Sequence, residues 1–140
     1  MNVIAILIDE KKRIILPKFN SKALNVFLQD DRKDDEIPYE TFVRIVGKVG
    51  ICQNDFGNVE KVLTIEKPSG RRIVFLSKIK NTKKIDKLRE EGKIDRLALK
   101  NVNEIFNIFD KVNCDFDLPL QYNYEYEYII NEVNNIIERK

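Results

Sequence analysis

The chain has 140 residues, 43% hydrophobic and 34% charged, the proportions of one globular domain with a core of its own and not of a disordered segment. Its net charge of +2 is small for a protein whose main task is to track phosphates. Histidine is absent, which removes Ser-His-Asp and Cys-His catalysis, HExxH zinc sites and axial haem histidines in one step.

The opening NVIAILI is a continuous, β-branched apolar run, the pattern of a central strand buried on both faces. At six residues, Val3 to Ile8 is too short for a signal segment or a membrane span, and DEKK follows at once. RIIL resumes as a second strand that Pro17 ends, so the two pair as a hairpin. Ala23 to Gln29 alternates as a third strand, closed by the acidic loop QDDRKDDE. FVRIVGKVGI reads as strand because Gly47 and Gly50 make a long helix expensive there, although Tyr39 to Val46 also admits a short helix. Asn58 to Glu66 is expected to be helical, with Val59, Val62, Leu63 and Glu66 on one face and Asn58 as cap, ending before Pro68.

IVFLS is another buried strand, followed by a helix capped at Asn81 or Thr82, running through Glu91 and stopped by Gly92. Ile94 to Leu99 reads as a strand, and Asn101 to Val112 as an amphipathic helix. This order predicts an α/β fold: a single-domain mixed sheet of ribonuclease-H-like type, a three-strand meander followed by alternating helices and strands, with a C-terminal helical extension. The expected division is a core over 1–113, a linker over 114–121 containing Pro119, and an amphipathic helix over 122–140 packed on the core or on a partner.

Neither GxxxxGK[ST] nor GxGxxG occurs, so the two common glycine-rich phosphate cradles are missing. A two-metal nuclease would need carboxylates from several elements; Asp9 and Glu60 are candidates, but the strand IVFLSKIK offers Ser77 and Lys78 where a third is required. No catalytic or metal-ligating residue is therefore assigned, and a non-enzymatic protein is expected. Asp30, Asp31, Asp34, Asp35 and Glu36 lack the glycine and spaced glutamate of an EF-hand loop and read as solvated. Cys52 and Cys114 have no CxxC spacing, which fits a reducing cytoplasm; Cys52 is expected to be a small buried core residue, with a thiolate ligand as the rival reading.

The segment 61–93 is predominantly basic, and Arg71, Arg72, Lys78, Lys80, Lys83, Lys84 and Lys87 are the candidate partner-binding residues. They face an acidic protein partner on one reading and nucleic acid on the other. In QYNYEYEY the alternating tyrosines favour core packing or an oligomer contact over base stacking, because Glu125 and Glu127 repel phosphates.

The opening IAILIDEKKRIILPKFNSKALNVFLQDDRKDDEIPYE, with its Ile37-Pro38-Tyr39 step, resembles the N-terminus of iron-only nitrogenase accessory proteins. RRIVFLSKIKNTKKIDKLREEGKIDRLALKNVNEIFNIF is similar in organisation to the dinitrogenase iron–molybdenum-cofactor-binding family. The resemblance implies a cytoplasmic accessory protein that docks on a metalloenzyme component. It also implies an iron–sulfur or iron–molybdenum cluster as the cofactor to consider, with Cys52 the soft ligand available and no counterpart of the family's histidine-bearing loop.

Overall fold

A computed structural model describes residues 1–18, 27–99 and 121–139, the side chains of the last segment from 125 onward. Among these residues lies one mixed sheet of six strands: β1 (Asn2–Ile8), β2 (Arg13–Pro17), β3 (Leu28–Asp31), β4 (Glu60–Lys67), β5 (Gly70–Lys78) and β6 (Ile94–Ala98). Three helices accompany it: α1 (Pro38–Lys48), α2 (Thr82–Glu90) and α3 (Gln121–Arg139). The small α/β class is thus as the sequence implies. The helix expected over Asn101 to Val112, the 114–121 linker, Cys114 and the first part of the third strand lie outside the described residues.

The strand order is β4-β5-β1-β2-β6, with β3 also on β1. β1 runs parallel to β5 along its whole length, from Asn2↔Arg72 to Ile8↔Lys78. Its other edge is shared: β3 takes Asn2 to Ala5, and β2 takes the far end at Ile8↔Ile14. The expected meander, on which the ribonuclease-H-like type rested, is therefore not the order found. β3 pairs with β1 and not with β2, because β2 turns away after one pair to ladder with β6.

Alternation along β1 builds both cores. Val3, Ala5 and Leu7 point to the face covered by Phe42, Ile45 and Val46 of α1 and by Ile85 and Leu88 of α2. Ile4, Ile6 and Ile8 point to the opposite face, where Tyr126, Ile129, Ile130 and Val133 of α3 cover them. Every residue from Val3 to Ile8 is at most 3% exposed, so each apolar side chain contributes about 1.5–3 kcal/mol of transfer free energy. That is why the run lacks polar alternation.

Local chemistry sets the helix ends. Pro38 occupies the first turn of α1, where no backbone donor is needed, and the Glu40 carboxylate accepts from the Ile37 N–H at 2.9 Å. The helix then continues through Gly47, so FVRIVGK is helical and the strand reading of it is corrected: buried Phe42, Ile45 and Val46 at helical spacing outweigh the glycine. In α2 the Asn81 side chain accepts from Lys84 N–H, and Gly92 closes the end at φ 74°.

The helix expected over Asn58 to Glu66 is a second correction, because those residues enter β4. A tight turn at Pro68-Ser69-Gly70 folds β4 antiparallel onto β5, and Val62 bulges between Lys61 and Leu63. The bulge places Val62 and Leu63 next to one another on the inner side, a pattern indistinguishable in sequence from helical spacing. Glu60 is accordingly a strand residue.

Candidate functional site

A cleft of about 770 Å³ opens where the carboxyl ends of the parallel strands β1 and β5 meet the last turn of α3. That volume lies within the range of about 300–1,000 Å³ usual for small-molecule sites, and strand carboxyl ends are where open α/β sheets bind ligands. Its wall is apolar: Ile8, Leu76, Ile79, Ile136 and Ile137. Its rim is charged, with Lys12 from the β1–β2 turn, Lys78 and Lys80 from the end of β5, and Glu10, Glu60 and Glu138 around them.

Backbone bonds staple the rim segments together. Ile79 N–H donates to Ile8 C=O at 2.9 Å, Gly57 N–H to Lys78 C=O at 2.9 Å, and Lys80 N–H to Asp55 C=O at 2.8 Å. The Ser77 hydroxyl, 2% exposed, donates to Gly57 C=O at 3.0 Å. Asp9 sits in the turn as a structural acid. Its carboxylate accepts from the backbone N–H groups of Lys11 and Arg13 at 3.0 and 2.9 Å and from Arg13 Nε at 2.7 Å.

The sequence candidates separate in space. Arg71 is exposed and pairs with Glu66 at 2.8 Å. Arg72 is committed inward to Glu125 of α3, with its guanidinium 5.7 Å from the Tyr126 ring centre and Nε donating to Asn2. Lys78 lies on the same face of β5 as Arg72, six residues and roughly 20 Å along the strand. Lys83 and Lys87 belong to α2, on the other side of the sheet, and Lys87 stands 4.0 Å from Glu91. Seven cations on two faces do not make one phosphate-tracking stripe, and only Lys78 and Lys80 of them reach the cleft.

Cys52 is exposed, which corrects its assignment to the core. It precedes a 3-10 turn, Gln53–Asp55, that turns its side chain out, and Lys84 Nζ donates to its Sγ at 3.3 Å. Lys84 also contacts the Asp55 carboxylate at 2.7 Å, and the Asn81 amide and Cys52 N–H complete that carboxylate's partners at 3.1 and 2.8 Å. Burial opposes ionisation of Asp55, but these donors outweigh it and hold the carboxyl below its usual range. The Asp55 carboxylate, then the thiol, hold the Lys84 ammonium above its usual range.

The acidic loop is solvated at Asp31, Asp34 and Asp35, as expected, but its other two acids, Asp30 and Glu36, are held in ion pairs. Glu36 accepts from Arg44 Nε at 2.7 Å, while Asp30 accepts from Arg44 Nη1 at 2.9 Å and Lys48 Nζ at 2.8 Å. Among the described residues no three His, Cys, Asp or Glu side chains gather around a position for a metal ion. No described helix is long and apolar enough to cross a membrane.

The fold is that of Nudix proteins. A mutT/nudix family protein from Listeria innocua superposes with a TM-score of 0.62 at 12% identity, over 99% of this chain and 92% of that one. Shewanella oneidensis NrtR complexed with a 27mer DNA gives 0.61 at 12% identity; the whole of this chain spans 63% of that protein's length. The NUDIX domain of the same NrtR complexed with ADP ribose gives 0.50 at 10% identity, over 97% of this chain and 86% of that domain. No family model matches the sequence, and neither does any curated protein.

These neighbours overturn the resemblance to nitrogenase accessory and dinitrogenase cofactor-binding proteins. With it fall the accessory role, the metalloenzyme partner and the expectation of a non-enzymatic protein, since the neighbouring folds include a family that carries hydrolases, among them the MutT protein of methicillin-resistant Staphylococcus aureus 252 at a TM-score of 0.50 and 19% identity. The physical reason is that strand and helix order alone does not fix pairing. The antiparallel β4–β5 hairpin and the placing of β3 on β1 are long-range facts.

Proposed function

We propose that the chain is a Nudix-fold domain that binds a nucleotide-type ligand, with a flat base, ribose hydroxyls and phosphate groups, in the cleft at the ends of β1 and β5. The observation that carries this reading is the division of the cleft into an isoleucine and leucine wall and a rim holding both lysines and carboxylates. The wall suits a base, carboxylates accept from ribose hydroxyls, and ammonium groups neutralise phosphates. A ligand that was only a polyanion would be repelled by Glu10, Glu60 and Glu138. The NrtR domain that binds ADP ribose lends support because it shares this fold over nearly the whole chain.

Binding is the step that an enzyme and a ligand-sensing regulator share. Titration calorimetry with ADP-ribose is expected to give saturable one-to-one binding, lost when Ile137→Arg places a charge in the half-buried part of the wall. Absence of binding at millimolar ADP-ribose would overturn the reading. Chromatography of the ligand after incubation with magnesium or manganese then separates the two forms: cleavage of the diphosphate identifies a hydrolase, and an intact ligand identifies a binding regulator.

A further inference from the structure

We propose that β4 is a dimerisation edge, which pairs antiparallel with β4 of a second copy of this chain about a twofold axis at Thr64 and joins two sheets into one. The ligand in the cleft has no part in this, so the inference stands apart from the nucleotide reading. Among the described residues β4 ends the sheet path and ladders with β5 alone, so no other described strand lies along its outer side. None of its eight residues is buried, and the apolar ones, Val62, Leu63 and Ile65, are only half-buried against the core under α3. An open edge of that length is a template for another strand.

The strand's own order, EKVLTIEK, supplies the partner. Turned end for end on itself, it sets Lys61 against Glu66 of the second copy, Ile65 against Val62 and Leu63, and Thr64 against Thr64, and the twofold makes each unlike pair twice. The bulge is what permits this register. Val62 and Leu63 together take the place of one residue, so Lys61, Thr64 and Glu66 share one face of the sheet while Leu63 and Ile65 share the other, and every opposed pair lies on one side. Glu66 already accepts from Arg71 at 2.8 Å, but its carboxylate has a second oxygen and its side chain is 66% exposed. Lys61 is exposed and in no ion pair with a described residue. The outermost pair, Glu60 with Lys67, is also of opposite sign; because Lys67 meets Glu125, the inner positions carry the recognition. At the other end of the sheet path β6 does not match itself: turned about its centre, it opposes Arg96 to Arg96 and Asp95 to Leu97. A bulge and lysines keep arbitrary strands off an edge, and in β4 they admit one register of the same strand.

Sedimentation equilibrium of the parent chain over roughly 0.01–0.5 mM is expected to show a reversible dimer. A monomer throughout that range, or association that does not stop at the dimer, would overturn the proposal. Lys61→Glu and Glu66→Lys each set two like-charged pairs across the axis, and each alone is expected to raise the dissociation constant at least about tenfold. An equimolar mixture of the two variants restores opposite charges in both pairs. It should therefore form a mixed dimer about as tightly as the parent associates, a recovery that damage to the fold would not give. Unchanged dissociation in the single variants would place the dimer on another surface, and a mixture no tighter than its components would exclude this register; either result overturns the proposal and leaves the ligand reading untouched.

Discussion

At the scale of single residues, backbone geometry identifies where substitutions will act. Lys12→Gly removes the Cβ from a left-handed position and is expected to raise stability by roughly 0.5–1 kcal/mol in urea denaturation, part of the relief being offset by the greater entropy of glycine in the unfolded chain. The same variant should bind ADP-ribose more weakly, so stability and binding move in opposite directions, as at sites where strain is kept for function. Gly50 is the converse case. Its φ is 100°, and an added Cβ would stand 2.9 Å from Leu88 Cδ2, at the contact between the end of α1 and α2. Gly50→Ala is therefore expected to cost about 1–3 kcal/mol, with a matching fall in the urea midpoint. An unchanged midpoint would show that Leu88 can move aside freely. Neither position was legible in the sequence beyond its residue type, because a lysine's left-handed φ and the neighbour of a glycine are settled by the fold. Cys52 failed for the same reason: burial statistics for cysteine favour the core, and the 3-10 turn after it points it outward.

At the scale of elements, the reading succeeded where one pattern admits one structure. β1 and β5 carry uninterrupted apolar runs, and the capped α2 has both its Asn81 and its Gly92. It failed at β4, where a bulge imitates helical spacing, and at the pairing of β3, which depends on where β2 goes. The cleft shows the same limit. Lys78 and Lys80 stood out in a basic run, but Lys12 and the Ile136–Ile137 wall join them only through the register between α3 and β5. That register has an identifiable lock. Arg72 and Glu125 are each 11% exposed and meet at one end of the α3–β5 contact, with Lys67 and the Tyr126 ring against them. From there the helix rises roughly 18 Å to Ile137 while β5 advances roughly 20 Å to Lys78, so both arrive at the cleft together. Arg72→Ala leaves a mostly buried carboxylate with one cation fewer, and is expected to destabilise by roughly 2 kcal/mol. A double-mutant cycle with Glu125→Gln should return a coupling of about 1–2 kcal/mol by urea denaturation. Additive effects would show that the pair does not hold the helix in register.

At the scale of the whole molecule, charge joins segments that the apolar cores do not. Arg44 on α1 reaches the Asp30 carboxylate and the Asp31 carbonyl at the end of β3, and Glu36 in the connecting turn, while Lys48 adds a second bond to Asp30. This network uses Asp30 and Glu36, two of the five charges that looked like a free acidic loop, and the sequence concealed it because the partners stand eight to eighteen residues apart. Its energetic signature is acid sensitivity. Arg44, then the Lys33 backbone N–H, lower the Glu36 carboxyl to about 2, and Lys48, then Arg44, hold Asp30 well below the usual carboxylate range. Folded values below the unfolded ones, about 4, mean that the unfolded chain takes up protons first as pH falls. The stabilisation is therefore fully present above about pH 5 and is lost on acidification through the folded values. Asp55, lowered by its own partners, adds with the same sign. Lys84 has the opposite dependence: its raised value contributes stability below the unfolded lysine range, about pH 10, which is lost as pH rises through the folded value. Urea denaturation at pH 7, 5 and 3 should show a falling midpoint in the parent chain and a shallower fall in Arg44→Gln, which has already forfeited the network at neutral pH. Equal slopes in the two proteins would place the acid sensitivity elsewhere and reduce the Arg44 cluster to a surface feature with no hold on how β3 and α1 pack.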